Sequence, residues 1–323
     1  MNKDIKYFGI DISHLVFDVT DSQGNYYQFK NSISGFKKFL KLVDSHSHCV
    51  MEATGYYHYQ LAYYLQEHGV QLSVENPLSV KRFIQMKLSK IKTDKSDSRL
   101  ICEYAKQVEL KLWQGNSKHQ LECLQMTRAL SMYTKQRTML KNKIHGELVL
   151  GVPSKVVLRS FKQSLKYLNK QMESLETKLL ILVKQVHQEV LTRLKSIPVI
   201  GPKTSLMLVV LTDGFERFTS ASELCSYAGL APVIRKSGSS VNGRPRISKI
   251  GNQKLRNLLF MCSFNACKYN HACKAIYDRL VAKGKSKKLA LIAVCNKLLK
   301  QAFAIAKSGL LYDNNYRSIL VKN

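Results

Sequence analysis

An acid set inside an otherwise apolar strand constrains this chain more than any other feature. Tyr7-Phe8-Gly9-Ile10-Asp11-Ile12 has the composition of a buried strand, and a carboxylate there is costly unless something compensates its charge. Residues 16–20 and 26–30 read as the next two strands, with Asp-Ser-Gln-Gly-Asn at 21–25 as the hairpin turn between them. Helical spacing follows over residues 33–43, where Ile33, Phe36, Phe39, Leu40 and Val43 share a face. Cys49-Val50-Met51-Glu52 is a short apolar strand that ends in a second acid. A helix through Leu61 and Leu65 and a strand at 70–74 complete the run.

A three-strand meander followed by alternating helices and strands is the order of a ribonuclease H-like α/β domain. Two more acids come from Lys90-Ile91-Lys92-Thr93-Asp94-Lys95-Ser96-Asp97-Ser98-Arg99. Thr93 fits a helix N-cap, and Asp94 and Asp97, three residues apart, share a helical face. Either acid alone is explained by the helix N-terminus, which favours negative charge. Their setting argues for more, because residues 81–99 carry Lys81, Arg82, Lys87, Lys90, Lys92, Lys95 and Arg99 beside only these two acids. Asp11, Glu52, Asp94 and Asp97 on two strands and one helix face would suit two hard cations such as Mg²⁺, the arrangement that stabilises both oxygens in phosphoryl transfer.

The middle of the chain is helical by pattern. Leu130, Tyr133, Arg137, Leu140 and Ile144 keep 3-4 spacing, and after a Gly151-Val152-Pro153-Ser154 break a heptad seam runs through Leu168, Met172, Leu175, Leu179, Leu182 and Val186. The break suggests two helices folded back on each other; the seam fits pairing within one chain or between chains. Further on, Leu194 to Thr204 resembles a helix-hairpin-helix turn, with Val199 where the first glycine of such a turn stands, and equally fits a plain helix–helix turn.

The formal charge is +29 at pH 7, in 323 residues. Between Glu223 and Asp313 a single acid, Asp278, faces 17 Lys or Arg residues. A one-sign field of that size is costly without a polyanion and points to nucleic acid, with an anionic membrane as the alternative partner. It is densest in residues 229–259, where seven cations and no acid surround Arg235-Lys236-Ser237-Gly238-Ser239-Ser240. A flexible basic loop of this kind can set a hydroxyl against a phosphate. Lys283-Gly284-Lys285-Ser286-Lys287-Lys288 reads as a further backbone-contacting turn. Eight cysteines without a Cys-x-x-Cys pair read as reduced core thiols rather than zinc ligands. No apolar run approaches the roughly 20 residues that span a bilayer, and the start shows no signal peptide, so a cytoplasmic, nucleoid-associated protein without membrane contact is expected.

Four segments together carry a family likeness: Gly9-Ile10-Asp11-Ile12-Ser13, Glu52-Ala53-Thr54-Gly55, Lys92-Thr93-Asp94-Lys95-Ser96-Asp97, and the stretch from Gly229-Leu230-Ala231-Pro232 through Ser237-Gly238 to Lys249-Ile250-Gly251-Asn252 with Leu255-Arg256. In this order they resemble the DEDD-type transposases of the one-ten/eleven-eleven insertion-sequence family, which also contains the pilin-gene DNA invertases. The resemblance covers nearly the whole length. It implies a RuvC-like domain at 1–120 with Asp11, Glu52, Asp94 and Asp97 as a tetrad for Mg²⁺, two ions per site, with Mn²⁺ a substitute. It further implies a coiled-coil spacer at 121–190 and a helical transposase domain at 191–323 with Ser237 as nucleophile, Ser239 and Ser240 remaining substitutes by spacing. Members similar to this chain recombine donor and target DNA under a structured non-coding bridge RNA, as tetramers in which acids and serine from different subunits form composite sites. Arg235, Lys236, Arg244 and Arg246 would clamp the strand, with Lys249, Asn252, Arg256, Lys92 and Lys95 as further nucleic-acid contacts. Alternatives are a site-specific invertase of the same family, a metal-dependent junction nuclease in which water attacks, and a non-catalytic binding protein.

Overall fold

The computed structural model describes residues 5–88, 93–233, 236–237, 241–242 and 246–314, with the backbone alone at 236–237 and 241–242. Lys92, Arg235, Ser239, Ser240 and Arg244, all singled out above, lie outside the described residues. The chain forms two compact units, residues 1–116 and 117–323.

The first unit is a mixed α/β layer. β1 (Lys6–Ile12), β2 (Val16–Asp21) and β3 (Tyr26–Lys30) form the expected meander. β4 (Ser47–Glu52) and β5 (Gln71–Glu75) follow, each after a helix, α1 (Ile33–Leu40) and α2 (His58–Glu67). The sheet order is β3-β2-β1-β4-β5, with β1, β2 and β3 antiparallel and β4 and β5 parallel to β1. Phe8, Ile10, Phe17, Phe36, Phe39, Met51, Leu61 and Leu65 fill its core. α1 stops at Leu40, short of the expected Val43, and Ile33 at its first turn is exposed. α3 (Pro77–Met86) and α4 (Asp94–Gln107) lie further along.

α4 sits across β1, β2 and β4, and one glycine sets how closely. A Cβ at Gly9 would collide with the Ser98 carbonyl and the Cys102 amide nitrogen of that helix. A buried hydrogen bond of 2.8 Å between the Thr20 and Ser98 hydroxyls fixes the helix's roll. Side chains alternate across a strand, so α4 lies on the sheet face that Gly9 and Asp11 share.

Among the described residues, the second unit is helical apart from two short two-stranded pairings. α5 (Lys118–Val149) and α6 (Lys155–Lys195) run back along each other across the Gly/Pro break. Leu130, Tyr133, Arg137, Leu140 and Ile144 are all half-buried, as their spacing requires. On α6 the heptad seam holds through Leu179 and then departs from expectation: Val186 is 59% exposed, and the buried positions become Val183, His187, Leu191 and Leu194. α6 is kinked at His187, whose φ of −123° and ψ of 30° are non-helical, and its last turns pack in the globular core formed with α7 (Pro202–Thr212), α8 (Ala221–Tyr227), α9 (Gln253–Tyr269), α10 (His271–Ala282) and α11 (Lys287–Ser308). Spacer and C-terminal segment, divided at 190 by sequence, therefore share one core.

Val199, in the turn between α6 and α7, takes a left-handed φ of 78°, a conformation that a β-branched residue adopts only under strain. The missing glycine has a visible backbone cost. α11 is long and apolar enough to cross a bilayer by length and composition, which the count of apolar runs did not anticipate. Its Ala290, Val294, Cys295, Leu298, Leu299, Ala302 and Ala306 are buried against the other helices. All eight cysteines are free thiols.

Candidate active site

The carboxylates of the first unit gather at the carboxyl ends of β1 and β4. These strands are parallel neighbours with Ile10 opposite Met51, so the next residues, Asp11 and Glu52, stand side by side. α4 brings the other two acids. Its N-terminus is fixed by a reciprocal cap in which Thr93 Oγ1 accepts from the Ser96 amide at 3.1 Å and Ser96 Oγ accepts from the Thr93 amide at 2.8 Å. Asp94 and Asp97 occupy the helical turn that this cap holds.

The four acids act on one another electrically. Asp11 is half-buried and its carboxyl is pushed up to about 6, first by burial and then by the charges of Asp97, Asp94, Glu52 and Asp18. Glu52 is raised as well, by burial and by Asp97. None of Asp11, Glu52 and Asp94 has an ion-pair partner among the described residues. All-oxygen carboxylate donors are the chemistry that hard divalent cations take, so the donor set fits the expected metal. Among the described residues, however, no group of three His, Cys, Asp or Glu side chains stands ready to hold an ion. The fold gathers the acids against their mutual repulsion, short of a closed coordination shell.

Two acids flank the cluster and are satisfied differently. Asp18 lies opposite Asp11 on β2 and is buried, its carboxylate accepting from the Tyr26 hydroxyl and from Gln28 Nε2 at 3.0 Å. Glu75 lies opposite Glu52 on β5 and accepts from the Tyr104 hydroxyl at 3.0 Å. Both phenols are pushed up to about 12, Tyr26 chiefly by its bond to Asp18 and Tyr104 by burial and then Glu75. Each flanking acid is thus tied to a tyrosine, while among the described residues Asp11 and Glu52 between them are not. Sequence reading passed over Asp18 and Glu75. The signal was there, an acid in each neighbouring strand, but the tyrosine partners are visible only in the fold.

In the second unit, four short strands carry the described residues around Ser237. β6 (Pro232–Val233) pairs with β9 (Arg246–Ile247), and β7 (Lys236–Ser237) with β8 (Val241–Asn242), Ser237 opposite Val241. The turn before α9 is rigid. Gly251 has φ 133° and a Cβ there would strike the Tyr227 carbonyl. The Asn252 amide donates to that carbonyl at 2.8 Å, and the Asn252 side chain caps α9 through the Leu255 amide at 3.1 Å. Arg256 donates to the Ala228 carbonyl at 2.9 Å.

Comparison with known proteins bears on both units. A DEDD-type family profile described as "Transposase" matches residues 8–153, and one described as "Transposase IS116/IS110/IS902 family" matches residues 191–278. The pilin gene-inverting protein of Moraxella lacunata is 30% identical over 322 residues, 95% of this chain and 97% of its own. The chain belongs to the IS116/IS110/IS902 transposase family. The Moraxella bovis pilin gene-inverting protein is similar at 29% identity over the same spans, and the transposase for insertion sequence element IS1111A of Coxiella burnetii at 24% over 91% of this chain and 84% of its own.

This transposase is accordingly an enzyme of DNA recombination, and its DEDD segment points to dependence on a divalent metal. Its expected nucleic-acid contacts divide by environment. Lys95, Arg246 and Lys249 are exposed, and Lys95 Nζ lies 5.0 Å from the centre of the Tyr26 ring. Asn252 and Arg256 are half-buried and make the internal bonds just described, so they brace the turn before α9 whatever else they touch.

Proposed function

We propose that this transposase cuts and rejoins DNA through a covalent phosphoserine link, with Ser237 as nucleophile and Asp11, Glu52, Asp94 and Asp97 as the metal-holding half of the site. The observation that supports the reading is the convergence of those four acids at one end of the five-stranded sheet, three of them without an ion-pair partner among the described residues. Mg²⁺, two ions with Mn²⁺ a substitute, would be held by these carboxylates and would neutralise charge on the phosphate oxygens. Ser237 Oγ forms a bond to phosphorus as the bond from phosphorus to one deoxyribose oxygen breaks; the serine proton ends on that leaving oxygen. The new phosphodiester keeps the energy of the old one, so a deoxyribose hydroxyl reverses the step to rejoin a strand. Arg235, Lys236, Arg244 and Arg246 grip the backbone, with Lys92, Lys95, Lys249, Asn252 and Arg256 as outer contacts.

The finer reading extends to partners. Donor and target DNA are selected by pairing with a structured bridge RNA, which fits a chain whose surplus charge suits phosphate backbones more than base edges. The long α5–α6 hairpin serves as a coiled-coil spacer in a tetramer, with acids and serine meeting across subunits. The protein works in the cytoplasm, on the nucleoid and away from membranes. Inversion of a DNA segment, as the names of the Moraxella relatives indicate for them, is the second outcome that the same chemistry allows.

A suicide DNA substrate, nicked so that cleavage traps the intermediate, tests the chemistry on a denaturing protein gel. Protein-linked DNA that vanishes in Ser237→Ala is expected. Metal-dependent nicking that survives Ser237→Ala would replace the reading with a water-using junction nuclease. Tight binding without cleavage in any metal would leave a binding protein only.

A further inference from the structure

An aromatic surface stands beside the carboxylates and has no part in the chemistry above. Three residues past Asp11, the β1–β2 turn exposes His14 and then Leu15, the latter 71% exposed. Four and five residues past Glu52, the loop from β4 exposes Tyr56 at 65% and Tyr57 at 45%. Because β1 and β4 are parallel neighbours, both loops leave the same end of the sheet. The His14 and Tyr57 rings lie 5.5 Å apart.

These loops are held in place. Asn31 Nδ2 donates to the Ser13 carbonyl at 2.9 Å and to the Tyr57 carbonyl at 3.4 Å, and its amide donates to the Leu15 carbonyl at 2.8 Å. The loop after Glu52 closes on itself, with the Thr54 amide donating to the Glu52 carbonyl at 2.8 Å and the Tyr57 amide to the Thr54 carbonyl at 3.2 Å. Single exposed apolar side chains need no explanation, but exposed rings on two hydrogen-bonded loops at the same end of the sheet do.

We propose that Tyr56, Tyr57 and His14 form a stacking platform for an unpaired DNA base next to the phosphate being cut. The inference rests on the carboxylates being the cutting site. An aromatic ring holds any base by its face, without regard to sequence, which suits an enzyme whose strand must be opened before it is cut. A platform a few residues from Asp11 and Glu52 on both loops would hold the flanking nucleotide still while the phosphate is in place. Loops whose backbone is already held lose little entropy when a base settles on their rings. Its place on loops that leave the sheet end carrying Asp11 and Glu52 favours a base of the cut strand over a second protein surface.

The test uses the full-length protein and single-stranded DNA carrying 5-iododeoxyuridine at successive positions, cross-linked by light in EDTA and mapped by peptide mass. A cross-link to Tyr56 or Tyr57 is expected, kept in the Tyr56→Phe/Tyr57→Phe variant and lost in Tyr56→Ala/Tyr57→Ala, with affinity for the strand falling about 5- to 150-fold for each base unstacked. Unchanged affinity and cross-linking elsewhere in the double alanine variant would overturn the platform, as would a change in oligomeric state with no change in DNA binding. Cleavage by Asp11→Asn, measured separately in Mg²⁺, reports on the acid site. Its survival would sink the cutting-site reading without touching the cross-link result, so the two failures are distinguishable.

Discussion

Asp11 is the residue on which the carboxylate cluster turns. Its carboxyl titrates near 6 because burial and four neighbouring acids oppose its charge. The folded state therefore holds the Asp11 proton more tightly than the unfolded chain does. That favours the fold at low pH, and the advantage is lost as pH rises from about 4 through about 6. Asp11→Asn removes the repelled charge, so thermal melts at pH 8 are expected to show a higher Tm than wild type, with the gap closing by pH 4, while strand cleavage disappears. An unfolded Asp11→Asn protein would mark the acid as structural. A divalent cation should restore part of the same stability in the wild type: Mg²⁺ is expected to raise its Tm at pH 8 and to lose that effect below pH 6, as protons compete for the carboxylates. Gly9 makes the complementary case. Gly9→Ala drives a methyl group into the backbone of α4, and overpacking of this sort costs about 1–3 kcal/mol. A denaturant midpoint unchanged from wild type would show that α4 can shift freely.

α4 carries two of the four acids on a single capped turn, so its cap should matter to activity as well as stability. Thr93→Ala removes the side-chain acceptor for the Ser96 amide and is expected to cost about 1 kcal/mol. Cleavage should fall further than global stability predicts, because Asp94 and Asp97 lie in the turn that frays; Thr93→Ser should recover both. At this scale much was legible in advance. The meander, β4 ending at Glu52 and the Thr93 cap follow from alternation, turn residues and capping, all local rules. β3 spans residues 26–30 in sequence and structure alike. What escaped depends on contacts distant in sequence. The seam on α6 passes to Val183 and His187 because a second set of helices replaces α5 there, and periodicity carries no sign of a change of partner. Asp18 read as one polar position in a strand, and only the fold places it opposite Asp11 with Tyr26 and Gln28 around it. The candidate acids were found because a charge in an apolar strand is conspicuous. The tyrosines that distinguish the flanking acids Asp18 and Glu75 were not conspicuous at all.

Over the whole molecule, a charge of +29 makes binding to DNA or RNA a matter of counterion release. Affinity should fall steeply and linearly on a log–log plot against salt, and neutralising one exposed phosphate contact, as in Lys249→Gln, should lower that slope by about one with little change in sequence preference. A slope unaltered by Lys249→Gln would place this residue away from the backbone. The larger question is how two units, one bearing the acids and the other bearing Ser237, make one reaction. In the mechanism proposed above, they supply different halves of each site, and the halves meet between subunits. Mixing two inactive proteins tests this most directly. On the suicide substrate, Asp11→Asn alone and Ser237→Ala alone should form no protein–DNA adduct, and the two mixed and allowed to exchange subunits should form it again. An adduct from Ser237→Ala alone, or a mixture as inert as its parts, would contradict it.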